Sequence, residues 1–187
     1  EPATSNIDTN GVTQLEGSLT TALENGTVVD AAIAASQTQR QDFWRLREML
    51  SEVQKFEGGS IKHDISVPVH AIPEFITRAN ATVEAICHGA RPVPFGHFGD
   101  GNVHYNISQP LAADKQAFLA QWENVSAAVH ALVTEMGGSI SAEHGIGRMK
   151  REELTRHKDP VALEIMRAIK SALDPVGIMN PGKVIGR

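Results

Sequence analysis

Phe95-Gly-His-Phe-Gly-Asp-Gly-Asn-Val-His-Tyr-Asn106 is the stretch from which the fold of this chain is read. Asp100-Gly101 sits between alternating residues, a strong hairpin signal because a type I′ turn needs positive φ at both central positions. With these two as the loop, Gly99 faces Asn102, Phe98 faces Val103 and His97 faces His104. A hairpin means neighbouring antiparallel strands. Strand-like and helix-like segments alternate elsewhere, so the expected fold class is α+β, an antiparallel sheet covered on one side by helices.

The pattern extends in both directions from the hairpin. Upstream, Leu15, Leu19, Ala22 and Leu23 form a helical stripe that stops at Gly26. Residues 27–34 (TVVDAAIA) read as a short strand. Phe43, Leu46, Leu50 and Val53 predict a helix over 38–56, ended by Gly58-Gly59. Ile61, Ile65 and Val67 mark the next strand, and Pro73 opens a helix striped by Ile76, Ala79, Val83 and Ile86. Downstream, Phe118, Trp122, Val125, Val129, Leu132 and Met136 predict one helix ending at Gly137-Gly138. Residues 139–143 read as strand-like, and Asp159-Pro160 starts a last helix that runs to Leu173.

The whole sequence has 187 residues, 17 of them Lys or Arg and 22 Asp or Glu, for a net charge of −5. That length suits one domain. Mild acidity argues against an extended nucleic-acid surface, and no apolar run approaches the ~18 residues of a membrane span. Cys87 is the only cysteine, which excludes a disulfide scaffold and a cysteine-rich zinc site. The chain starts at Glu1 without an apolar signal segment, so residues 1–11 are expected to be the polar edge of a fragment and 12–187 the folded domain. A single free cysteine without a secretory segment points to the cytoplasm, or to the mitochondrial matrix in a eukaryote.

The chemistry concentrates in two places. His97 and His104, opposed across the hairpin, have the spacing to chelate one metal ion, and Asn106 lies on the same face. In Ser141-Ala-Glu-His-Gly-Ile-Gly147, Glu143 can add an anionic ligand, leaving His144 for another task. Two histidines and one carboxylate leave coordination positions open, as a catalytic metal site does. A lone strand histidine is more often a hydrogen-bonded structural residue, and His63, His70, His88, His130 and His157 are read that way. Arg47 and Ser51 lie four apart near Trp44, with Lys62 at the start of the following strand. Together they could receive carboxylate oxygens; alternatively Arg47 pairs with Glu48 or Glu52 at the surface. The basic run Arg148-Met-Lys-Arg151 reads as a solvated helix face, and Gly145-Ile-Gly147 is too short a fingerprint for a phosphate loop.

The hairpin stretch, the Ser-Ala-Glu-His-Gly-Ile-Gly segment and the tail Leu173-Asp-Pro-Val-Gly-Ile-Met-Asn-Pro-Gly-Lys183 together resemble the C-terminal domain of FAD-linked oxidases of the vanillyl-alcohol-oxidase type. Within that family the resemblance is nearest to members acting on D-2-hydroxyglutarate, D-lactate and glycolate. It implies a ferredoxin-like cap domain, with FAD bound mainly by an N-terminal FAD-binding domain. Carried over by position, it implies a divalent metal, zinc, on His97, His104 and Glu143, and His144 as the base. Arg47, in Trp44-Arg-Leu-Arg-Glu48, would hold the substrate carboxylate with Ser51, Lys62 and Asn106, although His63 intervenes between Lys62 and Asp64 where the family pattern has the lysine just before the aspartate. Asn180 in the tail is given a cofactor contact. The function implied is the substrate- and metal-binding domain of an FAD-dependent D-2-hydroxy acid dehydrogenase. Its partners would be the flavin domain and a small 2-hydroxy acid, with no nucleic acid or membrane and a homodimer left open. From the residues alone, a self-contained two-His-one-Glu hydrolase or Fe(II) oxygenase, or a non-catalytic binding module, stays open beside it.

Overall fold

A computed structural model describes residues 9–186, with side chains for residues 11–50 and 52–186. Most of the polar edge expected over 1–11 lies outside them. The chain divides into two units, Glu1–Leu50 and Ser51–Arg187.

The first unit is helical. Helix α1 (Thr9–Glu24) carries the leucine stripe and is followed by Gly26 at a φ of 74°, the left-handed geometry that closes helices. Helix α2 (Gln37–Glu48) starts at Ser36, whose side chain accepts a hydrogen bond from the Gln39 N–H. Residues 27–34 are not a strand, contrary to their composition. Among the described residues no strand lies alongside to take their backbone bonds, Asn25 Oδ1 folds Thr27 into a turn, and Val29 is 98% exposed. The helix expected over 38–56 is interrupted at Met49. A single turn, α3 (Leu50–Val53), follows, and then a tighter 3-10 turn, Gln54–Glu57. That turn brings the Gln54 side chain inward, where it is buried and accepts a hydrogen bond from Asn106.

The second unit is an α+β layer. Strands β1 (Ser60–Ser66), β2 (Arg91–Phe95) and β3 (Asn102–Ser108) form an antiparallel sheet in the order β1-β3-β2. Alternation sends Ile61, Ile65, Val103, Tyr105 and Ile107 to one face. Two helices cover that face: α4 (Ile72–Ile86), through Phe75, Ala79 and Val83, and α6 (Trp122–Glu135), through Val125, Val129 and Val133. Each of the buried Phe and Val side chains among these contributes ~1.5–3 kcal/mol. The helix predicted from Phe118 to Met136 is two: a short α5 (Lys115–Leu119), capped by Asp114, turns Phe118 into the core before α6 begins. Helices α7 (Arg151–His157) and α8 (Pro160–Leu173) complete the unit, α8 starting on the Asp159 cap and Pro160 as the sequence predicts.

The hairpin exists, in a different register. Phe95, not His97, pairs with His104, and the connection is residues 96–101 rather than two residues. Asp100 sits in a 3-10 turn, Phe98–Asp100, and only Gly101 is left-handed at a φ of 87°. The His97 carbonyl accepts from both Asp100 and Asn102 N–H, which closes this larger loop. Residues 139–143 likewise form no strand beyond one bridge between Ser66 and Ser139.

Two glycines pin the neighbouring loops to the end of β1. A Cβ on Gly101 would stand 2.4 Å from the Val67 carbonyl oxygen, and one on Gly138 would stand 2.1 Å from that of Ser66. Only glycine permits backbones this close. The loop bearing His97 and the segment leading to Glu143 therefore meet at one edge of the sheet.

Candidate metal and substrate site

The sheet face that the helices leave uncovered carries the polar groups. In the β1–β3 register Lys62 stands opposite Asn106 and Asp64 opposite His104, while Phe95 of β2 flanks His104 at a ring distance of 5.3 Å. Residue alternation puts all of them on this side.

The two loops close over that face. Glu143 is the point of convergence: His97 Nδ1 lies 3.4 Å from Oε1 and His104 Nε2 lies 3.7 Å from Oε2. Asn102, buried, donates its amide N–H to Glu143 Oε1, and its own Oδ1 has no hydrogen-bond partner among the described residues. His144 stacks on His104 at 5.9 Å with 29° between the rings. His104 is largely buried, whereas His97, Glu143 and His144 are half-exposed or more.

Asp64 underlies this group and is 4% exposed. Its Oδ2 accepts the His144 N–H at 2.8 Å and the Glu143 N–H at 3.0 Å, and the Ser141 hydroxyl approaches at 3.4 Å. The nearest ring atoms are His144 Nδ1 at 3.5 Å and His104 Nδ1 at 4.0 Å. Burial pushes the Asp64 carboxyl up, but the two amide donors and the charges of His144 and Lys150 outweigh it and hold it below the ordinary range. Lys150 donates to the Ile140 and Asp64 carbonyls, so it is half-buried and structural rather than part of a solvated basic face.

A metal ion bound at ~2.0–2.2 Å holds neighbouring ligand atoms ~3–3.7 Å apart. The spacings of His97 and His104 to Glu143 match that, and two imidazoles with a carboxylate suit zinc and other divalent transition ions. Among the described residues, the set whose three ligand atoms all lie within 4.8 Å of one another is Asp64, Glu143 and His144; His97 and His104 approach separate oxygens of Glu143 without closing such a set. Glu143 takes part in both arrangements.

A cleft of about 780 Å³ opens here, and its lining includes Lys62, Asn106, His104, Glu143 and His144. Asn106 is held from behind, its Nδ2 donating to Gln54 Oε1 at 2.7 Å. Beyond the free edge of β1 the lining continues to His63, Ser126 and His130. His63 is a structural histidine. Its Nδ1–H donates to the Tyr105 carbonyl at 2.9 Å, its Nε2 meets the Ser126 hydroxyl at 3.2 Å, and burial pushes its pKa down to about 4. His130 pairs through Nδ1 with Glu153, which Arg156 and His157 also approach.

Among the residues expected to act together, His97, His104, Glu143, His144, Lys62 and Asn106 are therefore gathered within one unit. Arg47 belongs to the other unit, where its guanidinium lies over the Trp44 ring at 5.2 Å. The break at Met49 removes the continuous helix that was to align Ser51 with it, and the Ser51 side chain is outside the described residues. Asn180 lies in the turn after α8, at a φ of 46°, and does not line the cleft. The sequence reading missed Asp64, Asn102 and Gln54. Asp64 stands in a strand that also carries Lys62 and His63, so nothing local singles it out, and the other two acquire meaning from contacts 41 and 52 residues away.

The chain matches the family described as FAD linked oxidases, C-terminal domain, over residues 3–184. It is 42% identical over 162 residues to a D-2-hydroxyglutarate dehydrogenase of Stutzerimonas stutzeri, covering 87% of this chain and 35% of that protein. To the mitochondrial D-2-hydroxyglutarate dehydrogenase of Arabidopsis thaliana it is 37% identical over 182 residues, 97% of this chain and 31% of the relative. For the mitochondrial enzyme of that name from Rattus norvegicus the identity is 35% over 176 residues, 92% and 31%. The chain thus spans about a third of the length of these relatives. No described helix is long and apolar enough to cross a membrane. The chain belongs to the FAD-linked oxidases, as their C-terminal domain.

Proposed function

We propose that this member of the FAD-linked oxidases is the substrate- and metal-binding domain of an FAD-dependent D-2-hydroxy acid dehydrogenase, working with an N-terminal FAD-binding domain. The observation that carries the reading is the approach of His97 and His104 to Glu143, with His104, Glu143, His144, Lys62 and Asn106 lining one cleft. The relatives' name favours a substrate of the 2-hydroxyglutarate type, a 2-hydroxy acid with a second carboxylate.

His97, His104 and Glu143 would hold a divalent cation, zinc by preference, which when bound supplies Lewis acidity to the substrate's α-hydroxyl. FAD supplies the hydride acceptor. Lys62 pairs with a carboxylate of the substrate, and Asn106, oriented by its bond to Gln54, offers its second amide N–H to a carboxylate oxygen. His144 takes the hydroxyl proton as the 2-hydroxy acid becomes a 2-oxo acid. Arg47 and Ser51 are proposed as further carboxylate contacts, and Asn180 as a cofactor contact, on sequence grounds alone.

His144→Ala in the flavin-containing enzyme tests the assignment. Turnover falls ~100-fold or more while zinc content stays at the native level. Near-native turnover in that variant contradicts the role of His144.

A further inference from the structure

We infer that Asn102 is a positioning residue for the Glu143 carboxylate: it holds one oxygen and leaves the other turned toward His104. The inference deepens the proposed function, since it rests on reading Glu143 as a metal ligand. Asn102 has no ligand role of its own in it.

Asn102 is bonded to both loops of the site. Its backbone N–H is shared between the His97 carbonyl oxygen and Asp100 Oδ1, at 3.2 Å each. Its side-chain amide reaches the other way and donates to Glu143 Oε1. As the first residue of β3, opposite Ser66 in the ladder and 6% exposed, it is a rigid mount for that bond. The two oxygens of Glu143 are thereby told apart. Oε1 has a fixed donor, and Oε2 is the one that stands 3.7 Å from His104 Nε2. Carboxylates that ligate metals are generally held by such an outer hydrogen bond.

What Asn102 adds to the fold does not explain its burial. Its Oδ1 is buried without a partner among the described residues, and an unmatched buried acceptor costs stability. The bond it does make goes to a carboxylate that is 45% exposed, whose place as acceptor water can serve as well. Its backbone bonds need no asparagine side chain. An apolar side chain of the same size would therefore suit the fold at least as well, but it would not hold Glu143.

Zinc affinity and urea unfolding of the full chain, measured side by side, test this. Asn102→Leu is expected to lower zinc affinity ~10–100-fold with an unfolding midpoint no lower than the native one. An asparagine that serves only the fold gives the reverse, a lower midpoint with affinity unmoved, and that result overturns the inference. Where both fall together, a double-mutant cycle decides. In a Glu143→Asp background, whose carboxylate is one methylene short, Asn102→Leu should cost no further affinity. A loss as large as in the native background places the action of Asn102 elsewhere and overturns the inference. Should Asn102→Leu not fold, Asn102→Ala, which removes the same donor without added bulk, is read in its place. A native chain that takes up no zinc contradicts the metal reading and this inference with it. Native uptake with unmoved affinity in the variant contradicts the inference alone.

Discussion

Lys62 stands directly across the ladder from Asn106, two pairs along from Asp64 and His104 and so on the same open face of the sheet. The cation and the amide that would receive a carboxylate are thus mounted on rigid strands beside the groups that would act on the α-carbon. Lys62→Ala in the flavin-containing enzyme is expected to raise KM for the 2-hydroxy acid ~10–100-fold, the worth of one charged hydrogen bond, with zinc content unchanged. An unaltered KM would remove Lys62 from the substrate site.

Gly101 and Gly138 have a structural task that Gly99 and Gly145 do not. Gly99 and Gly145 have open space around them, whereas a side chain at Gly101 or Gly138 would run into a backbone carbonyl of Val67 or Ser66. Gly101→Ala and Gly138→Ala should each cost ~1–3 kcal/mol or more in urea unfolding, with Gly99→Ala near neutral. Equal midpoints for all three would show that these loops are not pinned to β1 as described.

Acid should destabilise the chain through its buried histidines. His63 stays neutral in the folded state down to about pH 4, because burial opposes its charge. In the unfolded chain it takes up a proton near pH ~6.5. Stability is then complete above that value and is lost as the pH falls through the window. His63 alone accounts for about 2 kcal/mol between pH ~7.5 and pH ~5. His130, its pKa also lowered by burial, acts in the same direction. Urea titrations at the two pH values should show this drop and a smaller one in His63→Gln; equal stability at both would contradict it.

Local signals in the sequence were enough for the fold class and for most of the helix limits. Asp159-Pro160 and Gly26 mark their boundaries by chemistry that acts over a few residues, and the structure keeps them. The His97–His104 pairing shows where such reasoning stops. Asp-Gly is compatible with a two-residue turn, but a six-residue loop satisfies the same dipeptide once Gly101 docks on Val67, a residue 34 positions away. Each of the two histidines approaches its own oxygen of Glu143 instead of facing the other across a ladder. Residues 27–34 fail for a related reason: β-branched composition makes a strand only where a neighbour takes the backbone bonds. Asp64, Asn102 and Gln54 were illegible because a buried polar side chain is defined by its partner, and each partner lies far along the chain.

Elemental analysis of the purified chain, beside His97→Ala, His104→Ala and Glu143→Ala, tests the central claim most directly. The arrangement around Glu143 predicts one equivalent of a divalent metal, zinc by preference, in the native chain and its loss from all three variants. Metal retained at the native level in the folded variants would contradict this ligand set, as would a native chain that takes up none when supplied with zinc.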